Sequence, residues 1–273
     1  MKPIDEQRIL VTGATDGLGR ALALDLAGRG AEVWVHGRDD QRGQETLDEI
    51  RGRHPDARLH WVRADLSRLD EVRGLADAIA DVPLDVLVSN AGIGLDGPRQ
   101  LSTDGIELHF AVNYLAGYLL TRALLPTMVA AAGTSGHGRI VMVSSLGQQA
   151  IDFDDVMLEH DYSMMRAYCQ SKLAQIMFSF DLAEELADTG VTANALHPAT
   201  YMATKMVPHP ISTVEEGEAA TARLVCDPAL EHTTGTFFDG MREARADRQA
   251  YDGDARQRLR ELSEALVAPA KSG

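Results

Sequence analysis

The sequence predicts a single-domain α/β protein: a doubly wound, mostly parallel sheet of seven strands with helices on both faces. Two observations carry this. Short β-branched or apolar runs alternate along the chain with longer stretches of helical periodicity, the pattern of strands joined by right-handed crossovers. No Pro/Ser-rich linker, internal repeat or low-complexity segment interrupts that alternation, so residues 1–273 read as one domain. A chain of this length, 45% hydrophobic, can bury a sizeable core.

Each element has its own signal. Residues 8–11, Arg-Ile-Leu-Val, form the first strand, and the amphipathic run 18–26 behind them forms the first helix. Residues 32–36, 59–63, 86–89, 139–144, 191–197 and 236–238 read as the other six strands. Two stretches break the rhythm. Residues 151–162 are an acidic insertion between the fifth strand and a helix over 163–189, and residues 200–214, with Pro208 and Pro210, form a loop after the sixth strand. Open α/β sheets build their ligand crevice at the carboxyl ends of the strands, so both stretches are expected at the substrate side. Near the end, Leu259, Leu262 and Leu266 share one helical face and predict a terminal helix docked on the body.

Composition excludes several classes. A formal charge of −15 argues against nucleic acid as a partner, since surfaces that hold phosphate backbones need clustered Lys and Arg. The two cysteines, Cys169 and Cys226, form no CxxC pair, so neither a disulfide framework nor a zinc site is expected. Asp152, Asp154, Asp155, Glu159, His160 and Asp161 lack the turn glycine and register of a cation loop and read as a solvated acidic flap; no metal is expected. The sequence predicts no membrane segment, and residues 1–6 lack the apolar stretch of a signal peptide, which predicts a cytoplasmic location.

The first turn has the chemistry of a phosphate site. Thr12-Gly13-Ala14-Thr15-Asp16-Gly17-Leu18-Gly19 lies between the first strand and first helix, where permissive backbone lets a pyrophosphate approach amide groups and a helix N-terminus. At the end of the second strand, Gly37 holds the position where an NAD-binding protein usually carries an acid, and Arg38 follows. An arginine without a competing carboxylate suits a 2′-phosphate, so NADP(H) is the expected cofactor; the bland reading of Arg38 is a solvated loop charge. Asp16 and the Asp39-Asp40 pair lie close by. Asp65-Leu66 follows the third strand and Asn90-Ala91-Gly92 the fourth, where Asp65 can accept from adenine and Asn90 either shapes the turn or ties strands together.

Tyr168 and Lys172 stand four apart on one helical face. A free phenol has a pKa of about 10, and a nearby cation lowers it, which makes Tyr168 a candidate general acid/base. Ser144-Ser145 closes the fifth strand, and strand alternation lets only one of the two face a site. A hydrolase arrangement of Ser145 with His197 lacks the GxSxG elbow.

Together these residues resemble the short-chain dehydrogenase/reductase family over nearly the whole chain. Thr12–Gly19 looks like its TGxxxGxG turn, Ser89–Gly92 like its NNAG segment with Ser89 for the first Asn, and Tyr168–Lys172 like its YxxxK signature. The resemblance implies a Rossmann-type fold and a tetrad of Asn113, Ser145, Tyr168 and Lys172. In that tetrad Ser145 hydrogen-bonds the reacting oxygen, Lys172 lowers the tyrosine pKa and bonds the nicotinamide ribose, and Asn113 holds a water. The implied dinucleotide contacts are Gly13, Thr15, Asp16, Gly17, Leu18, Gly19, Arg38, Asp65, Leu66, Asn90, Ala91, Gly92, Tyr168, Lys172 and Pro198. The segments 112–115, 151–155, 167–174 and 191–198 are similar to retinol dehydrogenase-like and light-dependent protochlorophyllide reductase-like members. After Pro198, Ala199 stands where the family usually has Gly.

The expected function is NADPH-dependent reduction of a ketone or aldehyde on a fairly apolar small molecule. Its apolar character rests on Ile151, Phe153, Met157, Met202, Met206 and Val207 in the two loops. The alternatives are an NADP-linked alcohol dehydrogenase running oxidatively and a non-catalytic dinucleotide sensor. In this family the helix over 163–189 can serve self-association, which leaves a homo-oligomer open.

Overall fold

The computed structural model describes residues 1–94, 96–202 and 209–268. Seven strands run parallel: β1 (Arg8–Val11), β2 (Glu32–Gly37), β3 (Arg58–Arg63), β4 (Val86–Ser89), β5 (Gly138–Val143), β6 (Val191–His197) and β7 (Phe237–Asp239). An eighth, β8 (Arg242–Ala244), adds antiparallel to β7, so the sheet has eight strands rather than the expected seven. Three residues, Arg-Glu-Ala, on a sheet edge carry no apolar alternation, which is why no strand was predicted there. The spatial order is β3-β2-β1-β4-β5-β6-β7-β8. The chain therefore reverses direction between β1 and β4, the switch point where such sheets open a ligand crevice.

Strand alternation divides the interior into two layers. In β1, Ile9 and Val11 face the layer of α1 (Gly17–Gly28), α2 (Asp40–Arg53) and α6 (Val214–Cys226), while Leu10 faces α3 (Leu69–Ala78), α4 (Ala116–Ser135), α5 (Met164–Glu185) and α7 (Gly253–Val267). Strands buried on both faces read as continuous apolar runs, as Ile140-Val141-Met142-Val143 does.

Local signals fix the helix ends that matter for the site. Asp16 caps α1, and Ser163 caps α5 by accepting from the Arg166 amide. Thr213 and Glu216 form a reciprocal capping box that starts α6 after the 200–214 loop. The terminal helix docks as expected: Tyr114 Oη and Ser263 Oγ lie 2.7 Å apart, and Arg256 and Arg260 both pair with Asp181 of α5.

One helix bears on the expected absence of a membrane segment. The helical stretch Phe110–Thr134 is long and apolar enough to cross a membrane by length and composition. Here it is the crossover between parallel neighbours β4 and β5, with Tyr114, Leu115, Leu120, Leu124 and Met128 buried in the core. Its apolarity is that of a helix packed inside an α/β layer.

Candidate active site

The glycine turn is held by groups that leave little room. Gly13 has φ +65°, and its amide donates to His36 Nδ1 at 3.1 Å. The other ring nitrogen of His36 bonds the Ala64 carbonyl at 3.2 Å, so one neutral imidazole ties the ends of β1, β2 and β3 together. Burial holds that imidazole far below its ordinary pKa, at about 4. A Cβ on Gly19 would lie 2.3 Å from the Gly13 carbonyl oxygen, a contact that only glycine avoids. Asn90 Nδ2 donates to Thr12 O and Gly13 O, and Thr12 Oγ1 accepts the Asn90 and Ala91 amides. Asn90 thus ties β4 to the β1 turn, the structural one of its two readings.

At the end of β2 the absence of an acid is built into the packing. A Cβ on Gly37 would sit 2.7 Å from Thr15 Cγ2 and 3.0 Å from the Trp61 ring, which leaves no space for a carboxylate stem. Arg38 is exposed and forms no ion pair among the described residues. The Asp16 carboxylate pairs with Arg42 at 2.7 Å, and Arg42 also donates to the Thr15 carbonyl. Arg42, in the first turn of α2, escaped the sequence reading because an arginine there looks like any solvated helix charge. Past β3, Asp65 Oδ1 accepts from both the amide and the hydroxyl of Ser67, and Leu66 is buried.

At the carboxyl end of β5 the two serines part. Ser144 Oγ donates to the Lys172 carbonyl at 2.7 Å, which commits it to the packing of α5. Ser145 Oγ accepts the Gly147 amide at 2.9 Å and acts on the Tyr168 phenol. Burial pushes that phenol above its ordinary pKa, and the Ser145 hydrogen bond pulls against the rise. Lys172 Nζ stands 5.7 Å from the Tyr168 ring centroid and donates to Val143 O and Gln175 Oε1, each at 3.0 Å. The pull on the phenol thus comes from Ser145, and the ammonium is turned toward two neutral oxygens. Burial lowers the Lys172 pKa to about 8.

Asn113 lies in a π-helical segment, Phe110–Leu115, that leads into α4. Its Oδ1 accepts the Ile93 amide, and its Nδ2 donates to Ile93 O and Ser171 Oγ. The side chain is therefore spent on fixing the loop after Gly92 against α5. Gly92 completes the cluster, for a Cβ there would lie 3.3 Å from Asn113 Oδ1 and 3.4 Å from Lys172 Nζ.

The far wall comes from β6. Pro198 is buried beside Gly217 of α6, whose Cβ would also meet Leu18 Cδ1 of α1. Ala199 is outside the left-handed region, so its position does not require the glycine usual in the family. His197 Nε2 bonds Thr200 Oγ1 at 2.9 Å, as a strand-end residue rather than a triad base.

The two loops separate in role. Ile151 is buried, and Phe153, Val156 and Met157 pack on the core layer of α4, α5 and α7. Phe153 and Met157 also line an open hollow of about 450 Å³ shared with Arg258, Glu261 and Leu262. The acids of this segment are used locally: Asp155 accepts the Glu159 and His160 amides, Asp152 pairs with Arg166 and Asp154 with Arg258. Met206, Val207 and Pro208 lie outside the described residues. Among the described residues, large exposed apolar side chains after β5, β6 and β7 are Leu146, Tyr201, Ile211 and Met241. Isolated in sequence, they gave no periodic signal.

The residues fit a dinucleotide: a glycine turn at a helix N-terminus on the switch point, an open β2 end bearing Arg38, and an ammonium with a phenol beside it. Comparison with known proteins agrees. Residues 7–213 match the family model for short chain dehydrogenases. Retinol dehydrogenase 13 of Mus musculus is 33% identical over 288 residues, covering 97% of this chain and 84% of that protein. A crystal structure of a protein from Mycobacterium Paratuberculosis superposes with TM-score 0.80 at 29% identity, covering 96% of this chain and 93% of that one. A short chain dehydrogenase from Burkholderia cenocepacia J2315 in complex with NADP superposes with TM-score 0.70 at 27% identity, covering 87% and 97%. The chain belongs to the short chain dehydrogenase family, a family of oxidoreductases, in its retinol dehydrogenase-like branch.

Proposed function

We propose that the protein is an NADPH-dependent reductase of ketones or aldehydes on fairly apolar small molecules. The observation that carries this reading is the cluster of Ser145 hydroxyl, Tyr168 phenol and Lys172 ammonium at the carboxyl end of β5. When bound, the nicotinamide supplies the hydride. Ser145 orients the substrate oxygen, and Tyr168, kept protonated by its burial, donates the proton that the developing alkoxide needs. Lys172 places a positive charge near the phenol, which favours the phenolate left after that transfer. Run backwards, the same groups oxidise an alcohol.

The turn of Gly13, Gly17 and Gly19 with the N-terminus of α1 would take the pyrophosphate, and Asp65 the adenine. Arg38, exposed beside a glycine with no room for an acid, would take the 2′-phosphate, with Arg42 as its neighbour. The NADP bound by the Burkholderia neighbour supports that choice. Leu146, Tyr201, Ile211 and Met241, exposed around the mouth, support an apolar substrate, as does the alcohol named in its relative retinol dehydrogenase 13.

The test is consumption of NADPH and NADH by the purified protein against aliphatic, aromatic and polycyclic ketones and aldehydes, with Arg38→Glu beside the wild type. The reading expects NADPH-selective turnover, and a KM for NADPH raised about tenfold or more in Arg38→Glu, as for loss of one charge-assisted phosphate contact. Equal use of both cofactors, unchanged by the substitution, would remove the phosphate assignment.

A further inference from the structure

We infer that Gln175 is a positioning residue that holds the Lys172 ammonium in place and sets its proton affinity. The inference rests on the charge that Lys172 is proposed above to place near the Tyr168 phenol. Gln175 lies on α5 three residues beyond Lys172, 2% exposed, and its Oε1 accepts from Nζ at 3.0 Å. Among the described residues the other partner of Nζ is the Val143 carbonyl at the end of β5, also at 3.0 Å. An ammonium has three N–H bonds, so two are fixed by these neutral oxygens. The third is left for the side of the site where Gly92, lacking a Cβ, gives room 3.4 Å away.

The surroundings of Nζ make the glutamine matter. Tyr168 on the same helix and His197 on β6 are its titratable neighbours, and Asn113, Ser144 and Ser145 are uncharged. No carboxylate contributes to the balance: burial alone displaces the lysine. In such a place each neutral acceptor carries a large share of what keeps the ammonium charged. The arrangement also has a stability penalty. Gln175 Nε2 is buried without a hydrogen-bond partner, which typically costs about 1–3 kcal/mol. Turning the amide over would give Nε2 to the ammonium, donor against donor, so the observed orientation is the one the lysine requires. An apolar side chain of the same size would pack here without an orphan donor; what it could not do is accept from Lys172.

The experiment is a pH titration of lysine 13Cε resonances by NMR in the full chain, for wild type, Gln175→Met and Gln175→Glu. The chain has four lysines, so the Lys172 signal is assigned by its loss in Lys172→Met. Removing the acceptor is expected to lower the Lys172 midpoint by about one unit, and placing a carboxylate there to raise it by about one unit or more. The alkaline limb of kcat/KM for carbonyl reduction is expected to move with the midpoint in each variant. A merely structural glutamine would lower the plateau and leave the limb in place. Gln175→Glu conserves volume and decides the matter should Gln175→Met fail to fold. A midpoint that does not fall in the first variant, or does not rise in the second, overturns the inference. Midpoints that move as expected in a protein that reduces no carbonyl uphold the coupling and contradict the proposed reaction instead.

Discussion

Burial of the Lys172 ammonium among neutral oxygens lowers its pKa from 10.5 to about 8, so the folded state disfavours its charged form. Below pH 8 that penalty is present in full, on the order of 3 kcal/mol, and it is relieved as pH rises from 8 toward 10.5. Lys172→Met is therefore expected to be more stable than wild type by about 1–3 kcal/mol in urea unfolding at pH 7, with the advantage shrinking by pH 10. A destabilised Met variant at pH 7 would show that the lysine's hydrogen bonds outweigh its desolvation. His36 works in the acid range. Its folded pKa of about 4 lies below the unfolded 6.5, so its contribution is full above pH 6.5 and is lost as pH falls toward 4. In His36→Asn, the drop in unfolding free energy between pH 7 and pH 4.5 should shrink by about 2 kcal/mol. An unchanged drop would place the acid sensitivity elsewhere, for instance at His137, whose pKa burial also lowers to about 4. Neither role was legible in the sequence: His36 reads as a strand residue and Gln175 as a helix residue, because partners 23 positions away, or a helix buried on nearly every side, leave no local pattern.

At the scale of elements, the sequence read well wherever burial was continuous. The strands over 8–11, 86–89 and 191–197 have the expected bounds, β2 and β3 are each one residue longer at one end, and β5 and β7 are each displaced by one residue, because short apolar runs between turn residues have one way to join a covered sheet. It failed where a signal is tertiary. The charged edge strand β8 and the π-helical turn around Asn113 depend on neighbours distant in the chain. Within the site, strand alternation alone left Ser144 and Ser145 open, and the hydrogen bond from Ser144 to Lys172 O assigns them. The turn before α1 gives a test at this scale. Gly to Ala within a helix normally stabilises by roughly 0.5–1 kcal/mol. At Gly19 the new Cβ would meet Gly13 O at 2.3 Å, so Gly19→Ala is expected to destabilise the fold and weaken NADPH binding about tenfold or more by fluorescence titration. A stabilised Gly19→Ala with unchanged affinity would mean that the close approach does not shape the turn.

Over the whole molecule, one sheet supplies the two halves of the site from opposite sides of its switch point. β1, β2 and β3 end in the glycine turn, Arg38 and Asp65, while β4, β5 and β6 end in Gly92, Ser145 and Pro198. His36 and Asn90 lock the first half together and to β4, and the Asn113 side chain locks the loop after β4 to α5. The terminal helix occupies part of the outer face of α5 through Asp181, so some of the surface that the sequence leaves open for self-association is covered from within the chain. The proposed reaction is delivery of a hydride from a bound nicotinamide to a carbonyl carbon while Tyr168 protonates its oxygen. The most direct measurement is mass spectrometry of the alcohol formed from an apolar ketone with NADPH deuterated at C4 of the nicotinamide, for wild type and Tyr168→Phe. The account predicts one deuterium on the carbinol carbon with wild type, and product formation reduced at least about a hundredfold in Tyr168→Phe, as for loss of a general acid. Labelled product formed equally fast by the variant would contradict it.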